Sequence, residues 1–207
     1  MNEYICPVQK LYKFITYLFF PGTMAILGFL LPLLIWPPFH LPYHFWLVMV
    51  FCFVLFPVVG ILIFIKFKLL KDIHVYDRKL RTRTYPLAIV GSGLALIYLK
   101  TGINLKMAYF EFALSWVIAI NISLILIWIV NHFLLKASAH MCGVGGFLAA
   151  AICLTLWGWS AETYVVNSVI IAGLVYLSRL GLSAHSHIEL LSGFGLGFIT
   201  TFAVLCL

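Results

Sequence analysis

At 207 residues, 64% hydrophobic and 9% charged, with a mean hydropathy of +1.13, this chain is excluded from the ordinary soluble domains. Its apolar runs are long and continuous and do not alternate, which argues against a transmembrane barrel and for a helical membrane protein. The net charge of +7 has no basic soluble module to carry it, so it points to membrane-side loops and lipid headgroups and away from nucleic acid.

At ~20 residues per span, the chain has room for one compact all-α bundle of six to seven transmembrane helices, a single domain over residues 1–207. Residues 1–12 form a polar-aromatic leader suited to an interfacial helix. No cleavable signal pattern precedes the first apolar run, which follows Lys10 and Lys13 and reads as a retained span. That span covers about 14–36, with Pro21-Gly22 and Pro32 as kink positions. A stiff turn from Trp36 to His44 leads into a second span at about 45–69.

The main polar loop, Lys66 to Tyr85, carries seven Lys and Arg against Asp72 and Asp77. Pro86 then opens a short third span, about 86–99. A fourth runs about 108–134, with Glu111, Asn121 and Asn131 in or near it. The segment Lys136–His140 precedes a fifth span at about 141–159, and a sixth covers about 163–178. Ser178 to Glu189 is polar, and the seventh span runs about 189–206 with Gly193, Gly195 and Gly197 on it, a spacing for close helix packing. The five cysteines, Cys6, Cys52, Cys142, Cys153 and Cys206, read as packing residues with neither a disulfide framework nor metal-ligand spacing.

Three polar clusters follow spans two, four and six and therefore emerge on one side. In the third, Arg179, His185, His187 and Glu189 fall within eleven positions beside a membrane span, where charge is costly and functional by default. His185 and Glu189 are one helical turn apart and can meet on one face. Arg179 offers a planar fork suited to phosphate. A plainer reading is also available: Ser186 to Glu189 is a capping box and Arg179 snorkels to the interface. His187 reads as interfacial or supporting, and a metal site built from His185 and His187 lacks further ligands.

In the second cluster Ser138 can cap a helix whose first amides would face an anion. Lys136 can add a cation, and His140 follows; the plain alternative is a capped helix start with an interfacial His. In the first cluster Arg78, Lys79, Arg81 and Arg83 precede Tyr85-Pro86, which a positive-inside loop would also explain.

The order basic-Pro, then Ser138-Ala139-His140, then Ser178-Arg179-x5-His185-x3-Glu189 resembles the three signatures of the type 2 phosphatidic acid phosphatase (PAP2) superfamily, over roughly residues 66–205. The departures are Tyr85 at an Arg position, Arg78 at a Lys position, Ala137 and Ala139 for Pro and Gly, and Glu189 for Asp. The resemblance implies a PAP2-like bundle that removes phosphate from a lipid phosphate or pyrophosphate at the membrane surface, without metal or other cofactor, through a phosphohistidine. It implies His185 as nucleophile, Glu189 as its orienting carboxylate and His140 as general acid. Arg179, Arg78, Arg83, Ser138 and Lys136 would hold phosphate, with Arg81 and Lys79 as further candidates. Family members also include soluble vanadium haloperoxidases, whose chemistry this hydrophobicity argues against. The alternatives are a non-enzymatic membrane protein, such as a transporter, and an inactive PAP2-like phospholipid binder.

The expected location is the bacterial inner membrane. Sidedness is contested: eleven of thirteen Lys and Arg fall on the candidate face, which favours the cytoplasm, whereas members of the resembled family commonly act on the periplasmic or lumenal side.

Overall fold

The computed structural model describes residues 7–35, 41–68, 82–102 and 107–206. All regular structure in them is helical: α1 (Pro7–Leu18), α2 (Pro21–Ile35), α3 (Tyr43–Lys66), α4 (Tyr85–Gly102), α5 (Met107–Phe133), α6 (Ala139–Leu156), α7 (Glu162–Gly181) and α8 (His187–Cys206). Five of these, α3 and α5 to α8, are long and apolar enough to cross a membrane, and α1 with α2 makes a sixth if the bent pair is one span. α4 is apolar but shorter, so the count by length and composition is five to six among the described residues, against the expected six to seven. Exposed Leu62, Val90, Ile97, Ile129, Ile170 and Ile199 give the bundle an apolar exterior, as a bilayer requires.

The first expected span is broken. α1 and α2 meet at 56° around Phe19-Phe20, immediately before Pro21, which has no N–H to continue the ladder. Thr23 Oγ1 lies within hydrogen-bond reach of the carbonyls of Leu18 (2.8 Å) and Phe20 (2.7 Å), bridging the end of α1 and the start of α2. Pro32, the other kink position, lies inside α2. In α3 a π turn spans Phe51–Leu55, and the Phe56 N–H reaches back five residues to the Phe51 carbonyl. Pro57 follows and cannot donate, which favours the wider turn. The bulged carbonyls of Cys52 and Phe53 are met by Gly91 of α4 and Gly22 of α2, where any Cβ would collide.

α6 is the central helix, with twelve of its eighteen residues buried. It runs parallel to α8, in contact through Gly145 on the Phe194 carbonyl, Gly146 beside Thr201 and Gly197 on the Cys142 carbonyl. α7 runs back antiparallel to both, packed on α6 and α1. Of the three glycines on α8, Gly193 and Gly197 do pack closely, whereas Gly195 meets nothing within 4 Å. Where α6 and α8 end, Cys153 and Cys206 are joined by a disulfide, which corrects the expectation that all the cysteines are packing residues. α2 is pinned to α5 by Tyr109 Oη donating to the Phe29 carbonyl (2.9 Å) and Trp116 Nε1 to the Ala25 carbonyl (3.0 Å).

Candidate functional site

The site is assembled from two loops at one end of the bundle. The first joins α5 to α6. Buried Asn131 donates through Nδ2 to the carbonyls of Ile127 (2.9 Å) and Ala137 (3.2 Å), so the end of α5 is tied to the loop that leaves it. Ser138 is fully buried and extended (φ −83°, ψ 115°), and its Oγ accepts from the Met141 N–H at 3.4 Å, the expected N-cap of α6. Its own N–H donates to the Glu189 carbonyl on α8 at 3.0 Å. Gly193, one turn further along α8, lies so close to the Ser138 backbone that a Cβ would clash with its carbonyl oxygen. A side chain at 193 would therefore push the two loops apart.

The second loop joins α7 to α8. The Ala184 N–H closes onto the Arg179 carbonyl (3.1 Å), and Ser183 adopts a positive φ of 50° to make the turn. Ser186 caps α8: its N–H donates to Glu189 Oε2 (3.2 Å) and its Oγ accepts from the Glu189 N–H (3.4 Å). The same carboxylate oxygen lies 2.9 Å from His185 Nδ1. The capping box and the His–carboxylate pair, alternatives in the sequence, coexist on one Glu.

His185 Nδ1 has a second acceptor, the Lys136 carbonyl at 3.2 Å. Both neighbours accept only, so Nδ1 carries a proton, and the neutral imidazole is then the Nδ1–H tautomer with its lone pair on Nε2. Lys136 returns the contact through its side chain, whose Nζ donates to the Ala184 carbonyl at 2.9 Å. The ammonium expected on phosphate also holds the His185 loop. The imidazole is wholly covered, while 23% of the Glu189 side chain remains exposed.

His140 lies in the first turn of α6, two residues after Ser138, with the Phe20 ring edge-on at 6.1 Å between centroids. Arg179 is in the last turn of α7, partly buried. Arg83 is exposed, and its segment is docked to the same end: Trp128 Nε1 donates to the Thr82 carbonyl (3.1 Å), and buried Tyr85 packs with Ile127, Ala137 and Cys142. Arg78, Lys79 and Arg81 lie outside the described residues. His187 is exposed, its Nδ1 hydrogen-bonded to Tyr176 Oη.

The structure thus puts Lys136, Ser138, His185 and Glu189 in direct contact and His140, Arg179 and Arg83 on the same end. Sequence reasoning missed what supports them: Asn131, Trp128 and Phe20. A buried Asn near the end of an apolar helix is the one signal that was available, since such a side chain must find partners. Behind the first turns of α6 an apolar cleft extends from Ala139 and Gly143 toward Trp116, Ile120 and Thr201. Among the described residues, no three His, Cys, Asp or Glu side chains are grouped to hold a metal ion. The chain has no significant match to any family model, curated protein or solved structure.

Proposed function

We propose that this protein is a PAP2-type membrane phosphatase that removes phosphate from a lipid phosphate or pyrophosphate. The observation that carries the proposal is the setting of His185, whose Nδ1 is held between the Glu189 carboxylate and the Lys136 carbonyl, joining the second and third polar clusters on one imidazole. A cap alone needs Ser186 and Glu189; it does not need an imidazole fixed by two acceptors.

In this reading His185 Nε2 attacks phosphorus in line, and the P–O bond to the lipid oxygen breaks as the P–N bond forms. His140 gives its proton to the departing oxygen. Water, losing a proton to His140, then attacks phosphorus, breaks the P–N bond and releases phosphate. Glu189 stabilises the imidazolium character that develops on His185. Arg179 and Arg83, with Arg78, Arg81 and Lys79 as further candidates, neutralise the phosphoryl oxygens, and Ser138 with the first amides of α6 completes the cradle. The apolar cleft behind Ala139 takes part of the lipid tail. The substrate is drawn from the bilayer, in keeping with an integral membrane protein of the bacterial inner membrane.

One observation favours a second reading. The His185 imidazole is fully covered, as suits a PAP2-like phospholipid binder without turnover. The experiment that separates the two is phosphate release by purified protein in detergent with EDTA, across phosphatidic acid, phosphatidylglycerol phosphate, sphingoid phosphate and polyprenyl pyrophosphate. Release that persists in EDTA and disappears in His185→Ala supports the phosphatase. Absence of release by folded protein, with retained lipid binding, leaves the binder. Release that EDTA abolishes sinks the histidine mechanism.

A further inference from the structure

Two features at opposite ends of the bundle bear on a question that hydropathy leaves open: which side of the membrane the candidate site faces. The first is the disulfide. Cys153 and Cys206 lie near the C-terminal ends of α6 and α8, with Cα atoms 6.1 Å apart. Both helices begin at the site, α6 at Ala139 and α8 at His187. At 1.5 Å of rise per residue the disulfide is on the order of 20–28 Å from the site along the helix axes, at the opposite membrane surface. Disulfides persist where the compartment is oxidising and are reduced in the cytoplasm.

The second feature is charge. Lys10 and Lys13 are on α1, whose Tyr12 packs against Gly181 at the site end of α7. Lys66 and Lys68 close α3, which runs antiparallel to α4, with Gly60 against Leu87. Arg83, Lys136 and Arg179 belong to the site end itself. Between Lys68 and Arg83 the sequence adds Lys71, Arg78, Lys79 and Arg81. At the far end Lys100 stands in the last turn of α4 and the sequence adds Lys106, while Glu111 lies early in α5 and Glu162 in the first turn of α7. Lys and Arg are retained on the cytoplasmic side during insertion.

We infer that the site end of the bundle faces the cytoplasm and the Cys153–Cys206 end faces the oxidising side. The disulfide and the charge bias are independent, and they assign the same orientation. For the proposed phosphatase, on whose reading this consequence rests, the substrate is a lipid phosphate of the cytoplasmic leaflet. Such a substrate is supplied by a cytoplasmic reaction that makes a phosphorylated lipid, and it reaches the site without crossing the bilayer.

The orientation is tested without any lipid or activity, so its failure is separate from failure of the phosphatase reading. Ser160→Cys places an exposed thiol in the turn between α6 and α7, and Lys68→Cys places one after α3. Each is expressed as the full chain, and spheroplasts are treated with a membrane-impermeant maleimide, with the unsubstituted chain as background. The expected result is labelling of Ser160→Cys in intact spheroplasts and of Lys68→Cys only after permeabilisation. Alkylation of denatured protein with and without reductant reads the disulfide directly, and two thiols of the unsubstituted chain should appear only after reduction, a shift lost in Cys153→Ala. Labelling of Lys68→Cys in intact spheroplasts, or Cys153 and Cys206 found as free thiols, overturns the inference.

Discussion

The carbonyl oxygen of Lys136 lies 3.2 Å from Nδ1 of His185, forty-nine residues further along the chain, and shares that nitrogen's proton with Glu189. A backbone acceptor cannot change its charge or rotate away. It therefore fixes the tautomer even when the carboxylate is altered, and this sets what each substitution should do.

Glu189→Gln keeps an acceptor on the side chain and leaves the backbone bond to Ser138 in place. The protein should fold, and phosphate release should fall by about 10²–10⁴-fold, because a neutral amide does not stabilise the imidazolium character that develops on His185. Turnover within twofold of the unsubstituted protein, at equal unfolding temperature, would remove Glu189 from the mechanism.

Lys136→Met deletes the bond from Nζ to the Ala184 carbonyl. Loss of such a charged hydrogen bond costs about 1–3 kcal/mol of stability. If Lys136 is a clamp, the unfolding temperature and kcat both drop while KM for the lipid stays near its original value. A rise in KM alone would return Lys136 to the phosphate.

Gly193 and Gly195 should respond oppositely to alanine. At Gly193 the added Cβ meets the Ser138 backbone, so Gly193→Ala should destabilise the protein and reduce activity together. At Gly195 nothing lies within 4 Å, and Gly195→Ala should stabilise by about 0.5–1 kcal/mol through helix propensity. Thermal unfolding of the two variants side by side checks this, and equal shifts would contradict the packing.

Opposed protonation demands shape the pH profile. In the proposed phosphatase His185 is neutral when it attacks, which would lower the rate at acid pH, and His140 holds a proton for the leaving oxygen, which would lower it at alkaline pH. The expected profile of kcat/KM is a bell. His140→Gln should lose the alkaline limb and keep the acid one; a bell left intact in that variant would assign the limb to another group.

Much of this arrangement was legible in the sequence because it is local. The Ser186–Glu189 box, the His185–Glu189 spacing and the Ser138 cap are contacts between residues three or four apart, where helix geometry alone decides who meets whom. The bonds between the loops were not legible. That Lys136 would spend its ammonium on Ala184, or that Gly193 would seat against Ser138, depends on the parallel register of α6 and α8, which no local pattern encodes. The break before Pro21 falls at an expected kink position, but its 56° size depends on how α1 and α2 pack, which no local pattern states. The span count agrees at six if α1 and α2 are one span, and α4, where Pro86 opens a shorter apolar helix, is the element that a seventh would need. The disulfide went unread because Cys153 and Cys206 are 53 residues apart and meet only through that same register.

The parallel pairing of α6 and α8 also has a consequence for biosynthesis. The chain is made from its N-terminus, and α8 follows everything else that the cradle uses. A ribosome that has delivered α1 to α7 into the bilayer has made Lys136, Ser138, His140 and Arg179, yet Ser138 has no acceptor for its N–H and no carboxylate has arrived to orient an imidazole. Until α8 slots beside α6 the two loops are unjoined, and then the bond from Ser138 to Glu189 and the contacts between Lys136 and the His185 loop form in one docking step.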